Sequence, residues 1–317
     1  FCFLTALILA SMGSMALAQP SADTNLDALR FWDAVRAGEI DTVESYLDRG
    51  VAVDTRDSES GETVLVVAAG AGQLDLVRFL VEHGADVNDG DNELKHTPIF
   101  AAAQENHPDV VAYLRSQGAA YTIYEAAAIG ALSDVRAFIE ADPALLMATD
   151  DLHPAPPLYW AAQNGHIDVV KYFIEKGVNP DEVYYNWMPA FGAAVSHDQL
   201  AVAAFLLDRG ADANMQTRKG LSLLGYAVFQ ASPEMVALLL KAGADPNAAE
   251  PLSKTTALHL AGQQEKADEI GKFLITYGAD VNARTTVNKT PLSYALGNGK
   301  LELARRLLKH GADPTIV

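Results

Sequence analysis

The chain has 317 residues, half of them hydrophobic, and a formal net charge of −18 at pH 7. This acidic balance argues against nucleic acids and anionic membrane surfaces as partners, because both attract positively charged proteins. Cys2 is the only cysteine, so the rest of the chain cannot use disulfide bonds, thiol catalysis or cysteine-based zinc sites.

The first predicted element is an apolar run, residues 1–18, which ends on Ala16-Leu17-Ala18 before polar residues. A small-x-small end of this kind is typical of the cleavage site of a signal peptide. We therefore interpret residues 1–18 as a signal peptide without its basic leading segment and residues 19–25 as a short linker. A retained N-terminal membrane anchor is the alternative. Export of a chain that lacks further cysteines favours a periplasmic or secreted bacterial location.

The chain from residue 26 to residue 317 consists of similar units with a period of 33 or 34 residues. The stretch HGADVN at 83–88 returns with small changes at 209–214, 242–247 and 277–282. Between Gly118 and Gly177 one more unit fits, ending near Asp142 without a glycine. The spacing therefore predicts nine units, most of which close on a glycine: Gly50, Gly84, Gly118, Gly177, Gly210, Gly243, Gly278 and Gly311.

Each position of the repeated motif has a structural explanation. Thr97 and Thr290 are placed to cap helices whose first residues are Pro98 and Pro291, where no backbone N–H is needed. The closing glycines suit the left-handed conformation that ends a helix, and the Asp and Asn that follow favour a turn. We therefore read HGADVN as a structural joint between units and not as a binding site.

Units such as HTPIFAAAQENHPDVVAYLRSQGA (96–119) and NKTPLSYALGNGKLELARRLLKHGADP (288–314) resemble the ankyrin repeat, which has two helices in about 33 residues. The resemblance implies an all-α solenoid of about nine helix-turn-helix repeats joined by β-hairpin-like loops. The residue five positions before each closing position supports this register. It is nonpolar in the seven internal units, with Ala137 in unit four, and polar in the terminal units, at Ser45 and Arg306.

No catalytic pattern stands out in the sequence. The motifs G-x-S-x-G and H-E-x-x-H and the phosphate-binding loop are absent. Most histidines are scattered or occupy repeat positions; His259, for example, stands where the family uses a histidine to join adjacent loops. We therefore predict that the protein is not an enzyme, has no metal site and needs no cofactor.

The resemblance implies that a partner protein binds the concave face, which is made of hairpin tips and the exposed ends of the first helices. The hairpin YYNWMP at 184–189 departs most from the repeat because it carries three aromatic residues at a solvent-facing turn. Aromatic residues dominate binding hot spots, at ~2 kcal/mol or more each. The alternative is that these rings pack on neighbouring hairpins. Trp160 and Tyr226 are predicted to be core residues. The predicted partner-binding residues are Tyr184, Tyr185, Asn186, Trp187, Met188, Gln163, Asn164, Ser196, His197, Arg218, Lys219, Phe229 and Gln230.

The sequence thus predicts a monomeric, non-enzymatic scaffold that binds another protein, with units five to seven contributing most. It predicts no nucleic-acid partner and no membrane contact beyond the signal peptide. The alternative function is a small-ligand or cofactor-binding solenoid that assists an exported enzyme. In that case the aromatic residues of 184–188 would line a pocket.

Overall fold

The computed structural model describes residues 22–90, 96–149, 155–182, 188–217 and 220–315. The proposed signal peptide, the aromatic residues at 184–187 and the pair Arg218 and Lys219 therefore lie outside the described residues. The described parts contain 18 α-helices, the first of which begins within the stretch predicted as a linker. The helices are α1 Ala22–Ala37, α2 Ile40–Asp48, α3 Val64–Gly70, α4 Leu74–Glu82, α5 Pro98–Gln104, α6 Pro108–Ser116, α7 Ile123–Ala128, α8 Leu132–Ala141, α9 Pro157–Gln163, α10 Ile167–Glu175, α11 Ala190–Ser196, α12 Leu200–Asp208, α13 Leu223–Phe229, α14 Pro233–Lys241, α15 Ala257–Ala261, α16 Ala267–Thr276, α17 Pro291–Gly297 and α18 Leu301–Lys309.

The helices form nine consecutive pairs that stack side by side. The odd-numbered, first helix of each unit packs on the first helix of the next unit throughout the array. The even-numbered, second helices form a parallel row, in which α10, α12, α14, α16 and α18 contact each other in order. The expected all-α ankyrin solenoid is therefore confirmed.

The predicted helix ends are also found. The Thr97 hydroxyl accepts a hydrogen bond from the Phe100 N–H at 3.3 Å, with Pro98 at the first helical position. The Thr290 hydroxyl does the same for Ser293. The closing glycines all have positive φ, for example 90° at Gly84. Only a residue without a Cβ adopts this conformation at little cost.

The repeated joint fastens each unit to the next one. At Asn214 the side-chain amide donates to the Gly243 carbonyl at 3.2 Å, while its oxygen accepts the Asp245 N–H at 2.7 Å. Asn247 and Asn282 make the same two bonds to the units that follow them. The recurrence of GADxN thus has a physical cause, since each asparagine satisfies two backbone groups of the neighbouring unit.

The core lies between the two rows of helices. Small residues such as Ala102 and Ala103 are fully buried where first helices meet. Larger side chains, among them Trp160, Phe173 and Phe191, fill the space around them. Trp160 is a core residue as predicted, whereas Tyr226 is partly exposed. The prediction of a buried Tyr226 was wrong: its side chain is only partly covered in unit seven, although Trp160, at the equivalent position of α9, is fully buried.

Unit four departs from the pattern. Only residues 117–122 join α6 to α7, whereas residues 49–63 join α2 to α3, so unit four has no hairpin. The assignment of Ala137 to the packed column was also wrong: Ala137 is exposed, and Phe138 packs on the core with its ring 6.1 Å from that of Tyr121. Burying the larger ring removes more apolar surface from water. Elsewhere, antiparallel bridges such as Arg56 with Thr63 confirm hairpin-like loops.

Candidate functional site

The ends of the first helices line up along one side of the stack. We call this surface, together with the hairpin residues beside it, the inner surface. Because the first helices pack in order, residues at the same position in successive units lie near each other. Six of the predicted partner-binding residues lie here at the ends of α9, α11 and α13: Gln163, Asn164, Ser196, His197, Phe229 and Gln230.

Two of these side chains are turned towards the protein's own backbone. The Asn164 amide donates to the carbonyls of Ala103 at 3.0 Å and Ala128 at 2.8 Å. Gln163 is buried, and its amide lies 3.4 Å from the Gln104 carbonyl. Both residues therefore tie unit five to units three and four. They stabilise the stack of repeat units, and less of their hydrogen-bonding capacity is left for a partner.

The next units show the same arrangement. The Gln230 amide donates to the Ser196 carbonyl at 2.8 Å, and the buried Ser196 hydroxyl donates to the Ala193 carbonyl at 3.0 Å. His197 is exposed, and its Nδ1 lies 3.1 Å from the same Ala193 carbonyl. The polar residues of α11 and α13 are thereby held in fixed positions.

Phe229 differs from these neighbours because its ring has no polar group to satisfy and remains 53% exposed. It lies 6.4 Å from the ring of the partly exposed Tyr226. Burial raises the pKa of Tyr226. Burial, followed by the influence of Tyr226, raises the pKa of the more deeply placed Tyr159 to about 12. Both phenols are therefore neutral near pH 7, and Phe229 and Tyr226 form an uncharged pair of rings.

Met188 is the one predicted partner-binding residue of the hairpin that the structure describes. It is partly buried and packs on the core. Gly192 permits this contact, since a Cβ at position 192 would lie 3.0 Å from the Met188 Cβ. The roles of Tyr184, Tyr185, Asn186, Trp187, Arg218 and Lys219 stay predictions, because those residues lie outside the described parts.

His259 and His166 join neighbouring units of the stack. His259 Nε2 lies 3.1 Å from the Lys289 carbonyl of the next unit, which fits the role implied by the family resemblance. His166 Nε2 lies 2.8 Å from the Ala128 carbonyl. Burial lowers the pKa of both imidazoles. Within the described residues, no group of three or more His, Cys, Asp and Glu side chains could hold a metal ion.

The same described parts contain no helix that is long and apolar enough to span a bilayer. Sequence reasoning missed the exposure of Tyr226 and the inward use of Gln163 and Asn164. The apolar residue at the end of the first helix α13 was the signal that predicted an exposed ring at Phe229.

Three copies of the family description "Ankyrin repeats" match residues 31–125, 123–217 and 224–317. The chain therefore belongs to the ankyrin-repeat family, whose repeats typically act as non-enzymatic modules for protein–protein interaction.

Curated relatives match parts of the chain. The nuclear factor NF-kappa-B p105 subunit of Gallus gallus is 33% identical over 175 residues, which are 53% of this chain and 17% of that protein. Palmitoyltransferase ZDHHC13 of Homo sapiens is 36% identical over 159 residues, 49% of this chain and 25% of that protein. The putative palmitoyltransferase ZDHHC13 of Danio rerio is 29% identical over 201 residues, 62% of this chain and 30% of that protein.

The chain thus spans less than a third of the length of these relatives. The activity in the name palmitoyltransferase belongs to proteins most of whose length this chain does not match. These three relatives are eukaryotic, so they give no support to a bacterial exported subfamily, which stays a prediction.

Proposed function

We propose that the chain is a non-enzymatic scaffold that binds a partner protein on the concave, inner surface of its solenoid, centred on units five to seven. The observation that carries this proposal is Phe229, a half-exposed ring at the end of α13. An apolar ring in a fixed position loses little conformational freedom on binding and gains from burial in a partner's pocket.

The surroundings of Phe229 support this function. Gln230 and Ser196 are hydrogen-bonded to backbone carbonyls and hold the ends of α11 and α13 in register. Association therefore needs little ordering of this surface, which lowers its entropic cost. The net charge of −18 favours rapid encounter with a basic partner, since complementary charge raises association rates. Export through a signal peptide at residues 1–18, to the periplasm or the medium, is part of the same proposal.

The test begins with capture of a partner by the immobilised protein and its identification by mass spectrometry. The dissociation constant of the purified pair is then measured by calorimetry. We expect Phe229→Ala to weaken binding by about 30-fold, the equivalent of ~2 kcal/mol. The matched control is Leu308→Ala, which removes a similarly exposed side chain, 46% exposed, from a second helix. The control should bind like the wild type.

A second variant, Tyr185→Ala with Trp187→Ala, tests the hairpin. Loss of binding with an unchanged melting curve supports its part in the interface, whereas a much earlier melting curve shows that its rings pack locally. Wild-type affinity in both the Phe229→Ala and the hairpin variants would refute the proposed binding surface.

A further inference from the structure

The second helices share a feature that one of them lacks. Each carries an acidic residue in its first turn except α12, which begins Leu200-Ala201 and has no charged residue before Asp208. An acidic side chain near a helix N-terminus stabilises the helix by interacting with the helix dipole. Helix α12 lacks this stabilisation, which the other second helices have. The acidic residues at this position are Asp41, Asp75, Asp109, Asp134, Asp168, Glu234, Glu269 and Glu302.

An apolar groove of about 580 Å³ lies beside this gap, between α12 and α14. Leu200, Ala201 and Ala204 line one wall, and Ala237 and Leu238 line the other. Tyr277, which follows α16, closes one end and is 44% exposed. The groove lies on the row of second helices. Leu200, which is 39% exposed, and Tyr277 give this shallow groove an apolar rim.

We propose that this groove is the contact through which two copies of the chain form a weak symmetric dimer, with α12 and α14 antiparallel to their counterparts. Glu234 and Lys241 stand at opposite ends of α14, about 10 Å apart along the helix axis. A two-fold axis perpendicular to α14 places each Glu234 against Lys241 of the second copy. A symmetric interface of this kind forms every contact twice.

The composition of α12 fits the same arrangement. Positions 201 and 208 have the same spacing as positions 234 and 241, so the axis places residue 201 opposite Asp208 of the second copy. An acidic residue at 201, as in the other second helices, would repel that Asp208. Alanine removes the repulsion, and the small side chains of Ala204 and Ala237 near the axis allow the helices to approach closely.

The groove is small for a specific interface, because stable complexes bury about 1,200–2,000 Å² in total. We therefore expect a dissociation constant on the order of 100 µM. At lower concentrations the chain is the monomer that the sequence predicts. The dimer uses the row of second helices and not the inner surface that carries Phe229, so it does not depend on the proposed partner-binding function.

Sedimentation velocity of the full chain, from about 10 µM to about 1 mM, tests the dimer. The average sedimentation coefficient of a self-associating protein increases with protein concentration, because mass action favours the dimer. We expect the sedimentation coefficient to rise with concentration in the wild type. Ala204→Lys should weaken association by at least about tenfold by burying an unpaired charge. Ala112→Lys, at the corresponding exposed position of α6, should associate like the wild type.

A charge swap tests the antiparallel pairing and distinguishes a second copy from any other occupant. Glu234→Lys alone should weaken the dimer about fivefold to tenfold, since like charges then face each other. Glu234→Lys combined with Lys241→Glu should restore wild-type association, and Ala201→Asp should weaken it. A wild type that stays monomeric throughout, or a double variant no better than Glu234→Lys, would overturn the inference.

Discussion

The rings of Phe100 and Trp160 meet edge to face, with centroids 5.1 Å apart, although one complete helix pair separates them along the chain. Phe100 lies on α5 and Trp160 on α9, and α7 lies between these helices. The contact is possible because α7 is short and consists largely of alanine, with Ala126, Ala127 and Ala128 all fully buried. Units three to five therefore pack as one block.

Removal of the indole should destabilise this block strongly. Trp160→Ala should lower the free energy of unfolding by about 3–5 kcal/mol, since it empties a fully buried site. In a double-mutant cycle with Phe100→Leu, the coupling should be about 0.5–1.5 kcal/mol. Urea titrations followed by circular dichroism provide the values. As a control, Phe100→Leu and the distant Phe273→Leu should be additive; additivity of the Phe100 and Trp160 variants as well would contradict a direct ring contact.

Asn164→Ala tests whether this residue stabilises the stack of repeat units or belongs to the partner-binding surface. The change removes one of the two hydrogen bonds that each of the Ala103 and Ala128 carbonyls accepts, and loss of the two bonds together should cost about 1–3 kcal/mol of unfolding free energy. Phe229→Ala, on the exposed ring, should change stability by less than about 0.5 kcal/mol. The same urea titrations compare the two. An Asn164→Ala variant as stable as the wild type would return Asn164 to the partner-binding surface.

The helices, their Thr caps and the left-handed glycines could be predicted because each follows from a local rule that the chain repeats. The bonds from Asn164 to the Ala103 and Ala128 carbonyls could not be predicted in this way. They join unit five to units three and four. This requires the short first helix of unit four, α7, to bring the three units close together, and no short sequence pattern encodes that geometry. The shift from Ala137 to Phe138 also lies in unit four, where no closing glycine marks the register of α8.

The candidate surface was predicted in part. The repeat register placed Phe229 at the exposed end of a first helix, and its exposure agrees with that placement. The same register gave no information on whether Gln163 and Gln230 would face outward or bond to a carbonyl, since both outcomes use the same residue type. The absence of an acidic residue from the first turn of α12, on which the proposed dimer contact partly rests, becomes visible in the sequence only when the second helices are aligned.

The last unit is fastened by an ion pair whose contribution should depend on pH. Arg306 donates two hydrogen bonds to Asp268, at 2.7 and 2.8 Å, and these bonds lower the pKa of Asp268. A carboxyl with a lowered folded-state pKa contributes stability above its unfolded pKa, and this is lost as pH falls through the folded value. Arg306→Met should therefore lower the melting temperature at pH 7, and by less near pH 3, which lies below the unfolded pKa of about 3.9. An equal loss at both pH values would show that packing, and not charge, explains the effect.

Asp181 occupies the place that an asparagine fills in the joints at 214, 247 and 282. Its Oδ2 accepts the Asp212 N–H at 3.2 Å, while its buried Oδ1 has no hydrogen-bond partner among the described residues. Asn214, at the equivalent atom, donates to a glycine carbonyl. Asp181→Asn should supply the missing donor and raise the free energy of unfolding at pH 7 by about 1 kcal/mol.

The pH dependence of this gain distinguishes its cause. Burial, followed by the nearby Asp212 charge, raises the pKa of Asp181 in the folded state. The stability that the protonated carboxyl provides is present below the unfolded pKa of about 3.9 and is lost as pH rises through the folded value. The advantage of Asp181→Asn in melting temperature should therefore grow from about pH 4 to pH 7. The reciprocal change, Asn214→Asp, should destabilise at pH 7 and less so at pH 4; a pH-independent effect in both variants would exclude the carboxyl charge as the cause.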